Sequence, residues 1–568
     1  MLAARVSRAL VAKTQAMARL STGQFGIYSA PHEIKNEPLK KYEVGSQERK
    51  DLRKAVDAFY QNPVTDIPVV IGGKEIRSGD VATQTMPTEH AHVAATYHKA
   101  NKALAEQAID AALSAKESWS SFPMEDRVAI YLKAADLLAT KYRAELCAAQ
   151  MIGSGKNVWQ AEIDICEAID FWRLNAAYAL QIYAQQPSFN DSGIWNRLEY
   201  RPLEGFVFAV TPFNFVAIGA NLHSAPALMG NTTIWKPSHT NILSSWVVYK
   251  ILKEAGLPDG VVNFLPGSPE AISDPIMNHR DLAGLHFTGS TRVFNHLWQK
   301  VAQNINTYRT YPRIVGETGG KNFHFVHESA DVQHVFNNTV RGAFEYQGQK
   351  CSATSRIYVP SNLWPQLKSL IQNFEKEAKV GCTRDFDTFV AAVIDETAFT
   401  RVTNAIAKAK ADKNNTLVIG GSSDRSKGWF VQPTVFETSD PSSFLLQEEF
   451  FGPLLTVFVY EPSKYEETLR LCDSTASYAL TGSIFAQDRA ALLTASRLLR
   501  NAAGNFYIND KSTGAVVGQQ PFGGSRASGT NDKSGAPLNL LRWVSVRSIK
   551  ENFLPLSSWK YPHLAARD

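Results

Sequence analysis

From Phe206 to Val315 short apolar runs alternate with helical segments, and this alternation is what most constrains the fold. Phe206–Val210, Thr233–Lys236, Val261–Leu265, Gly284–Phe287 and Arg313–Val315 read as strands. Between them Ile242–Ala255 is amphipathic and is stopped by Gly256 and Pro258, and further helices begin near Pro269 and Thr291. Repeated strand–helix–strand units imply a parallel sheet with right-handed crossovers. Such sheets bind ligands beyond the carboxyl ends of their strands. Thr211–Asn214, Lys236–Ser238 and Gly289–Ser290 all fall there, as polar or Gly-containing turns on one edge.

The flanking regions complete a mixed α/β chain. Residues 100–155 carry Ala, Leu and charged residues at helical spacing. A second alternating region runs from 330 to about 510 and includes Thr416–Ile419, Leu455–Tyr460, Gly482–Phe485 and Asn505–Ile508. Gly/Ser-rich turns dominate 512–535, and the tail 541–568 returns to apolar and aromatic residues, with Trp543, Phe553, Leu556, Trp559 and Tyr561. The length of 568 residues suggests two to four domains, at a prior of ~150 residues each.

Composition excludes several classes. With 44% hydrophobic and 20% charged residues, enough apolar surface is available to offset the entropy of ordering. Five cysteines make no disulfide framework at this length, which favours a reducing compartment. The net charge of +5 sits mostly in the first 24 residues, which hold Arg5, Arg8, Lys13 and Arg19 and no acid. The rest carries no basic stripe, so no nucleic-acid partner is expected. The leading segment itself is Arg-, Ala- and Ser-containing at helical spacing and free of acid up to Glu33, which fits a mitochondrial presequence over residues 1–24. A frayed terminus is the plainer alternative. Residues 205–235 carry no Asp, Glu, Lys or Arg and would cover a bilayer. Pro212, Asn214, Asn221, His223 and Pro226 break the apolar pattern, so a buried strand, turn and helix is expected and no membrane span.

Few motifs carry chemistry by themselves. There is no GxGxxG, HExxH, CxxC or EF-hand loop, so no metal site is expected. GSGK at 153–156 resembles the end of a P-loop, but Gln150 and Asn157 stand where Gly and Ser/Thr are needed. Cys147, Cys166, Cys382 and Cys472 read as small buried or incidental thiols. Cys351, in EYQGQKCSATS, has Lys350 before it and Ser352 after it; a neighbouring cation and a polar turn favour thiolate. Glu317 ends a strand and is followed by Gly319 and Gly320, which suits a general base facing a cleft. A solvated turn glutamate and an incidental thiol remain open as readings of these two segments alone.

Taken together, VTPFNF (210–215), IWKPS (234–238), FTGSTRVF (287–294), GETGGKN (316–322), GQKCSATSR (348–356), EEFFGP (448–453) and QPFGGSRASG (520–529) resemble the aldehyde dehydrogenase superfamily. They occur in its order and spacing, with Glu317 and Cys351 34 positions apart, and span roughly residues 85–535. GQKCSA, KSTGAVVGQQPFGG, RASGTNDKSG and the aromatic tail resemble the branch of that superfamily acting on L-glutamate 5-semialdehyde, the open form of pyrroline-5-carboxylate, in mitochondria.

The resemblance implies roles. Cys351 would attack the aldehyde carbon, with Asn214 and the Cys351 N–H as oxyanion donors, and Glu317 would activate the water that releases a free acid. For NAD, Lys236 would hold adenosine-ribose hydroxyls, Gly289 and Ser290 would meet the pyrophosphate at a helix start, and Glu449 would bind the nicotinamide-side ribose, with Phe451 and Thr211 nearby. Many NAD-preferring relatives carry Glu three residues after the Lys; here His239 stands there, which weakens rejection of a 2′-phosphate. For the substrate, Ser352, Gly514 and Ala515 would meet the α-carboxylate and α-amino end, and Phe215 and Phe522 would clamp the aliphatic chain or serve as core packing. Lys350 would bias the site toward anions or point into structure.

The expected fold is therefore α/β and aldehyde dehydrogenase-like. It comprises a Rossmann-like NAD domain (25–174 and 195–317), an α/β catalytic domain (318–529), and a small β oligomerisation element with tail (175–194 and 530–568). Exposed strands and aromatics there imply a homodimer or higher homo-oligomer. The expected reaction is NAD-dependent oxidation of L-glutamate 5-semialdehyde to L-glutamate in the mitochondrial matrix. The rivals are a dehydrogenase of another semialdehyde such as succinate semialdehyde, a cofactor-independent thiol hydrolase using Cys351, and a non-catalytic module.

Overall fold

The computed structural model describes residues 34–564, and the expected targeting segment lies outside them. Two compact units are present, one ending at Asn36 and the other running from Glu37. The described residues of the first, 34–36, form no helix or strand.

The first sheet of the second unit has seven strands: β1 (Val69–Ile71), β2 (Lys74–Ile76), β3 (Phe206–Val210), β4 (Thr232–Lys236), β5 (Val262–Phe264), β6 (Leu282–Thr288) and β7 (Arg313–Glu317), in the order β7-β6-β3-β4-β5-β1-β2. The five strands from β3 on are mutually parallel; β1 and β2 add an antiparallel edge. The chain winds outward from β3 through β4 and β5, then returns to the other side of β3 for β6 and β7. The switch point thus lies between β3 and β6, the place where such sheets bind ligands beyond the carboxyl edge. Register places Val210, Lys236, Phe287 and Gly316 in one row across that edge.

The helices are α1 (Lys102–Ser120), α2 (Met124–Ala139), α3 (Arg143–Ser154), α4 (Val158–Ala184), α5 (Val216–Leu228), α6 (Ile242–Ala255), α7 (Pro269–Met277), α8 (Thr291–Gln303) and α9 (Val332–Phe344). The uncharged run 205–235 is β3, α5 and β4, all deeply buried. No helix among the described residues is long and apolar enough to cross a membrane. Gly256 ends α6 at φ +102°, where its missing Cβ spares the left-handed turn. Phe206 and Phe208 are fully buried beneath the helices; such a ring contributes about 2–3 kcal/mol.

The second sheet holds β8 (Asn322–Val326), β9 (Thr354–Pro360), β10 (Asn415–Ile419), β11 (Thr434–Thr438), β12 (Leu454–Tyr460), β13 (Thr481–Phe485) and β14 (Asn505–Ile508), in the order β10-β11-β12-β9-β8-β13-β14. All neighbours are parallel except β10 with β11.

Two sequence expectations are corrected. The β element does not include 175–184, which are the last turns of α4; Asn175, Ala176, Ala179 and Ile182 recur at helical spacing and are buried in the core. The ribbon is instead made by Ile194–Pro202 with Val544–Asn552, antiparallel over nine residue pairs. Trp543 does not belong with the exposed tail aromatics: it is fully buried, and its carbonyl accepts from Asn231 Nδ2 at 2.8 Å. Phe553, Leu556, Trp559 and Tyr561 are exposed. Strands between 64 and 98, including β1 and β2, were not anticipated.

Candidate active site

The carboxyl edge of the first sheet meets the amino edge of the second, and the candidate residues gather where they meet. β7 ends on Glu317, and the chain crosses through Thr318-Gly319-Gly320-Lys321 to enter β8 at Asn322. Gly320 cannot carry a side chain, because a Cβ there would overlap the Cys351 carbonyl, and at Gly319 one would displace the Glu449 carboxylate. Asn322 Nδ2 donates to the carbonyls of Cys351 (2.7 Å) and Ala353 (2.9 Å), and its Oδ1 accepts from the Thr481 N–H at 3.0 Å.

Cys351 sits in a buried turn just before β9. Tyr346, Gln347 and Gly348 precede it with φ of +51°, +57° and +65°. Two non-glycine residues in that left-handed region cost about 1–2 kcal/mol each. Such strain concentrates at functional sites. Asn214 follows β3; its Nδ2 donates to the Gln349 carbonyl at 3.1 Å and keeps a second N–H free for another acceptor. The amide is thereby tied to the nucleophile's turn.

The electrostatics differ from the sequence expectation. Lys350 is buried and paired with Glu345 at 3.0 Å, so its charge is answered within its own turn and does not bias the site toward anions. Burial pushes the Cys351 thiol up, Glu317 and Glu449 push it further, and the N–H groups of Ser352 and Cys351 oppose this weakly. Burial likewise raises the Glu317 carboxyl well above its ordinary value. Its Oε2 is sealed and has no hydrogen-bond partner among the described residues. Residues 523–530 close around it: Glu317 pairs with Gly529, and Thr318 N–H donates to the Ser528 carbonyl at 2.9 Å.

The other candidates divide into two groups. Lys236 ends β4, is buried, and donates to the Pro237 carbonyl at 3.3 Å; burial lowers its ammonium to about 8. Ser290 caps α8, accepting from Val293 N–H at 3.4 Å. Gly289 N–H donates to the Glu317 carbonyl at 3.2 Å, and the Thr211 hydroxyl accepts from Trp235 Nε1 at 2.9 Å. Glu449 Oε1 accepts from Gly320 N–H at 2.8 Å, and burial raises its carboxyl to about 7. Phe451, at φ +51°, meets Phe213 edge-on. His239 opens the turn after β4, and burial beside Lys236 holds its imidazole below its ordinary value.

On the substrate side, Ser352 Oγ donates to Thr513 Oγ1 at 2.8 Å, so the residue after the nucleophile is tied to the 512–515 loop. Gly514 is exposed at φ +93°, and Ala515 is half-buried. Phe215 and Phe522 are both half-buried. Two residues were missed by sequence reading. Asp164 accepts from Val216 and Ala217 N–H, and Glu167 has its carboxyl raised to about 8 by burial and by Asp164, against Lys156 and Lys350. Their helix α4 carried no motif; the available signal was four acids, Glu162, Asp164, Glu167 and Asp170, in a largely apolar helix.

Residues 77–549 match the model of the aldehyde dehydrogenase family. The chain belongs to the aldehyde dehydrogenase family. It is 57% identical over 532 residues to the mitochondrial delta-1-pyrroline-5-carboxylate dehydrogenase of Dictyostelium discoideum, covering 93% of this chain and 95% of the relative. The human enzyme of that name is 50% identical over 533 residues, with 94% of each chain covered. Among solved structures, delta-pyrroline-5-carboxylate dehydrogenase from Mycobacterium tuberculosis bound with NAD superposes with a TM-score of 0.91 at 48% identity, covering 95% of this chain and all of that one. Within the family, the betaine aldehyde dehydrogenase of Staphylococcus aureus, in complex with NAD+, is more distant, at 26% identity and a TM-score of 0.80 over 90% of this chain.

Proposed function

We propose that the protein oxidises L-glutamate 5-semialdehyde, the open form of pyrroline-5-carboxylate, to L-glutamate with NAD as hydride acceptor. The observation that carries the reading is the joint anchoring of Cys351, Asn214 and Glu317 on one pair of sheet edges. The relatives named above supply the substrate and cofactor class.

The residues present suit NAD. Lys236 is a buried ammonium with a long contact to a single carbonyl, which leaves protons for ribose hydroxyls. Ser290 opens α8 at the carboxyl edge of the first sheet, where N–H groups and the helix dipole favour a pyrophosphate. Glu449 offers a second carboxylate oxygen to the other ribose. NAD, when bound, supplies the hydride acceptor. Cys351 loses its thiol proton and attacks the aldehyde carbon through Sγ; the carbonyl π electrons move onto the oxygen, and Asn214 Nδ2 with the Cys351 N–H holds the resulting oxyanion. After oxidation the acyl group is held on Cys351 as a thioester. Glu317, once its raised carboxyl has released its own proton to solvent, takes the proton of the attacking water as the water oxygen bonds the acyl carbon; the C–S bond breaks, and L-glutamate leaves with Cys351 regenerated. Ser352 and the Gly514–Ala515 loop would receive the substrate's amino-acid end, and Phe215 and Phe522 its methylene chain.

The first compact sheet with its helices would be the NAD-binding part, and the second sheet the catalytic part. The ribbon of 194–202 with 544–552, and the exposed aromatics after it, would meet a second copy of the chain. The names of the relatives and the acid-free leader support a mitochondrial matrix location.

The test is absorbance of reduced nicotinamide with purified protein, NAD and pyrroline-5-carboxylate, beside succinate semialdehyde. A higher kcat/KM for the first is expected. A preference for succinate semialdehyde would keep the mechanism and discard the substrate. Hydrolysis of esters at an equal rate without NAD would favour the thiol hydrolase instead.

A further inference from the structure

The GSGK turn, rejected as a phosphate loop, is fully buried and faces the nucleophile's turn. Tyr346 Oη donates to the Ser154 carbonyl at 3.0 Å. Gln347 Nε2 donates to the carbonyls of Gly155 (2.9 Å) and Ala392 (2.8 Å), and its Oε1 accepts from Ala391 N–H at 3.0 Å. These are the two left-handed residues that lead to Cys351, and such a conformation persists only when its surroundings over-determine it.

The last residue of the turn reaches the other side of the site. Lys156 Nζ lies 2.5 Å from Asp164 Oδ2, with both side chains essentially solvent-free. Asp164 accepts from Val216 N–H and Ala217 N–H at 2.8 Å each. It therefore caps α5, whose own N-cap, Phe215, provides no side-chain acceptor. Asn214 is the residue before Phe215. The Lys156 ammonium also lies 4.3 Å from the Phe215 ring centre and 4.9 Å from that of Tyr346. One buried cation thus touches the carboxylate that starts the oxyanion helix, the ring beside Asn214, and the ring in the nucleophile's turn.

A buried ion pair is weak evidence for stability, because desolvation offsets the attraction. A pair placed between two halves of a reacting centre has a better use. We propose that Lys156 and Asp164 are positioning residues that set the distance between Asn214 and Cys351. Asp164 fixes the start of α5 behind Asn214, and Lys156 ties that start to Tyr346. The inference rests on the oxyanion role given to Asn214 above.

The test is a double-mutant cycle between Asp164→Asn and Asn214→Ala, read as kcat, KM for NAD and thermal midpoint. The neutral pair Lys156→Gln/Asp164→Asn, which leaves no orphaned charge, goes through the same cycle in case Asp164→Asn does not fold. Asn214→Ala alone lowers kcat by roughly 10²–10³-fold. Asp164→Asn, or the neutral pair, lowers kcat by roughly 10–10²-fold, as a misplacement near 1 Å does, with KM for NAD unchanged. On top of Asn214→Ala, either costs no more than about twofold, because residues acting through one another are not additive. Full multiplication of the two effects, or an unchanged kcat in the neutral pair, overturns the inference and leaves the role of Asn214 standing. An unchanged kcat in Asn214→Ala itself overturns both.

Discussion

The side-chain amide of Asn322, the first residue of β8, donates to the Cys351 carbonyl at 2.7 Å, across the gap between that strand and the turn that carries the nucleophile. Asn322 also holds the carbonyl of Ala353 and the N–H of Thr481. It is thus the pin that fixes the nucleophile's turn to the second sheet. Asn322→Ala would strand three buried backbone groups. Each such group costs ~1–3 kcal/mol, so a loss of at least about 3 kcal/mol is expected with a lowered kcat. Denaturant unfolding alongside steady-state kinetics checks both.

Asn214 has one N–H spent on the Gln349 carbonyl and one in reserve. Asn214→Ala is expected to lower kcat by roughly 10²–10³-fold. NAD binding should hardly change, because the residue contacts the turn of Cys351 and not Lys236 or Ser290. Fluorescence titration with NAD separates these. A matched loss of NAD affinity would place Asn214 on the cofactor side.

The Cys351 thiol is held protonated by burial and by two carboxylates, so its reactivity should rise with pH. Alkylation of the peptide containing Cys351 by iodoacetamide is expected to have its midpoint above the ~8.5 of a free cysteine. The raised Glu317 carboxyl has the same sense. The folded protein binds that proton more tightly than the unfolded chain. The resulting stability is full at acid pH and is lost as pH rises through the folded value. A Cys351 midpoint below that of free cysteine would contradict this electrostatic reading.

His324 shows the opposite linkage. Burial lowers its imidazole from 6.5 to about 3. Its Nε2 accepts from Ser512 N–H at 3.1 Å, so that nitrogen carries no proton, and Nδ1 faces Thr339 Oγ1 at 3.0 Å. The neutral ring's contribution is complete above pH 6.5 and is lost as pH falls toward about 3. One proton corresponds to about 1.4 kcal/mol per pH unit. In His324→Gln the fall of stability with acid should be shallower by about that amount. Urea unfolding at several pH values measures the slope.

What was legible in the sequence was local. Gly256 stops its helix where it stands, and Glu317 does end a strand. The strands before residue 100 were missed because β1 and β2 are three residues each and take their stability from β5, nearly 200 positions away. The Ile71-Gly72-Gly73-Lys74 turn was the hairpin signal that could have found them. The environment of Cys351 was misread for a similar reason. Of the two readings open for Lys350, a bias toward anions or a side chain turned into structure, the fold takes the second and turns it onto Glu345. Asp164 caps a helix that starts 52 residues later, and no spacing rule reveals such a contact. Residue identity exposed the reacting groups, while the groups that aim them depend on long-range packing.

The most direct measurement is peptide mapping by mass spectrometry of Glu317→Gln after mixing with NAD and pyrroline-5-carboxylate. Without the base for the second step, the acyl group should stay on Cys351, with about one reduced nicotinamide formed per subunit. Steady turnover at the wild-type rate with no adduct, or an adduct on another cysteine, would contradict the division of labour between Cys351 and Glu317.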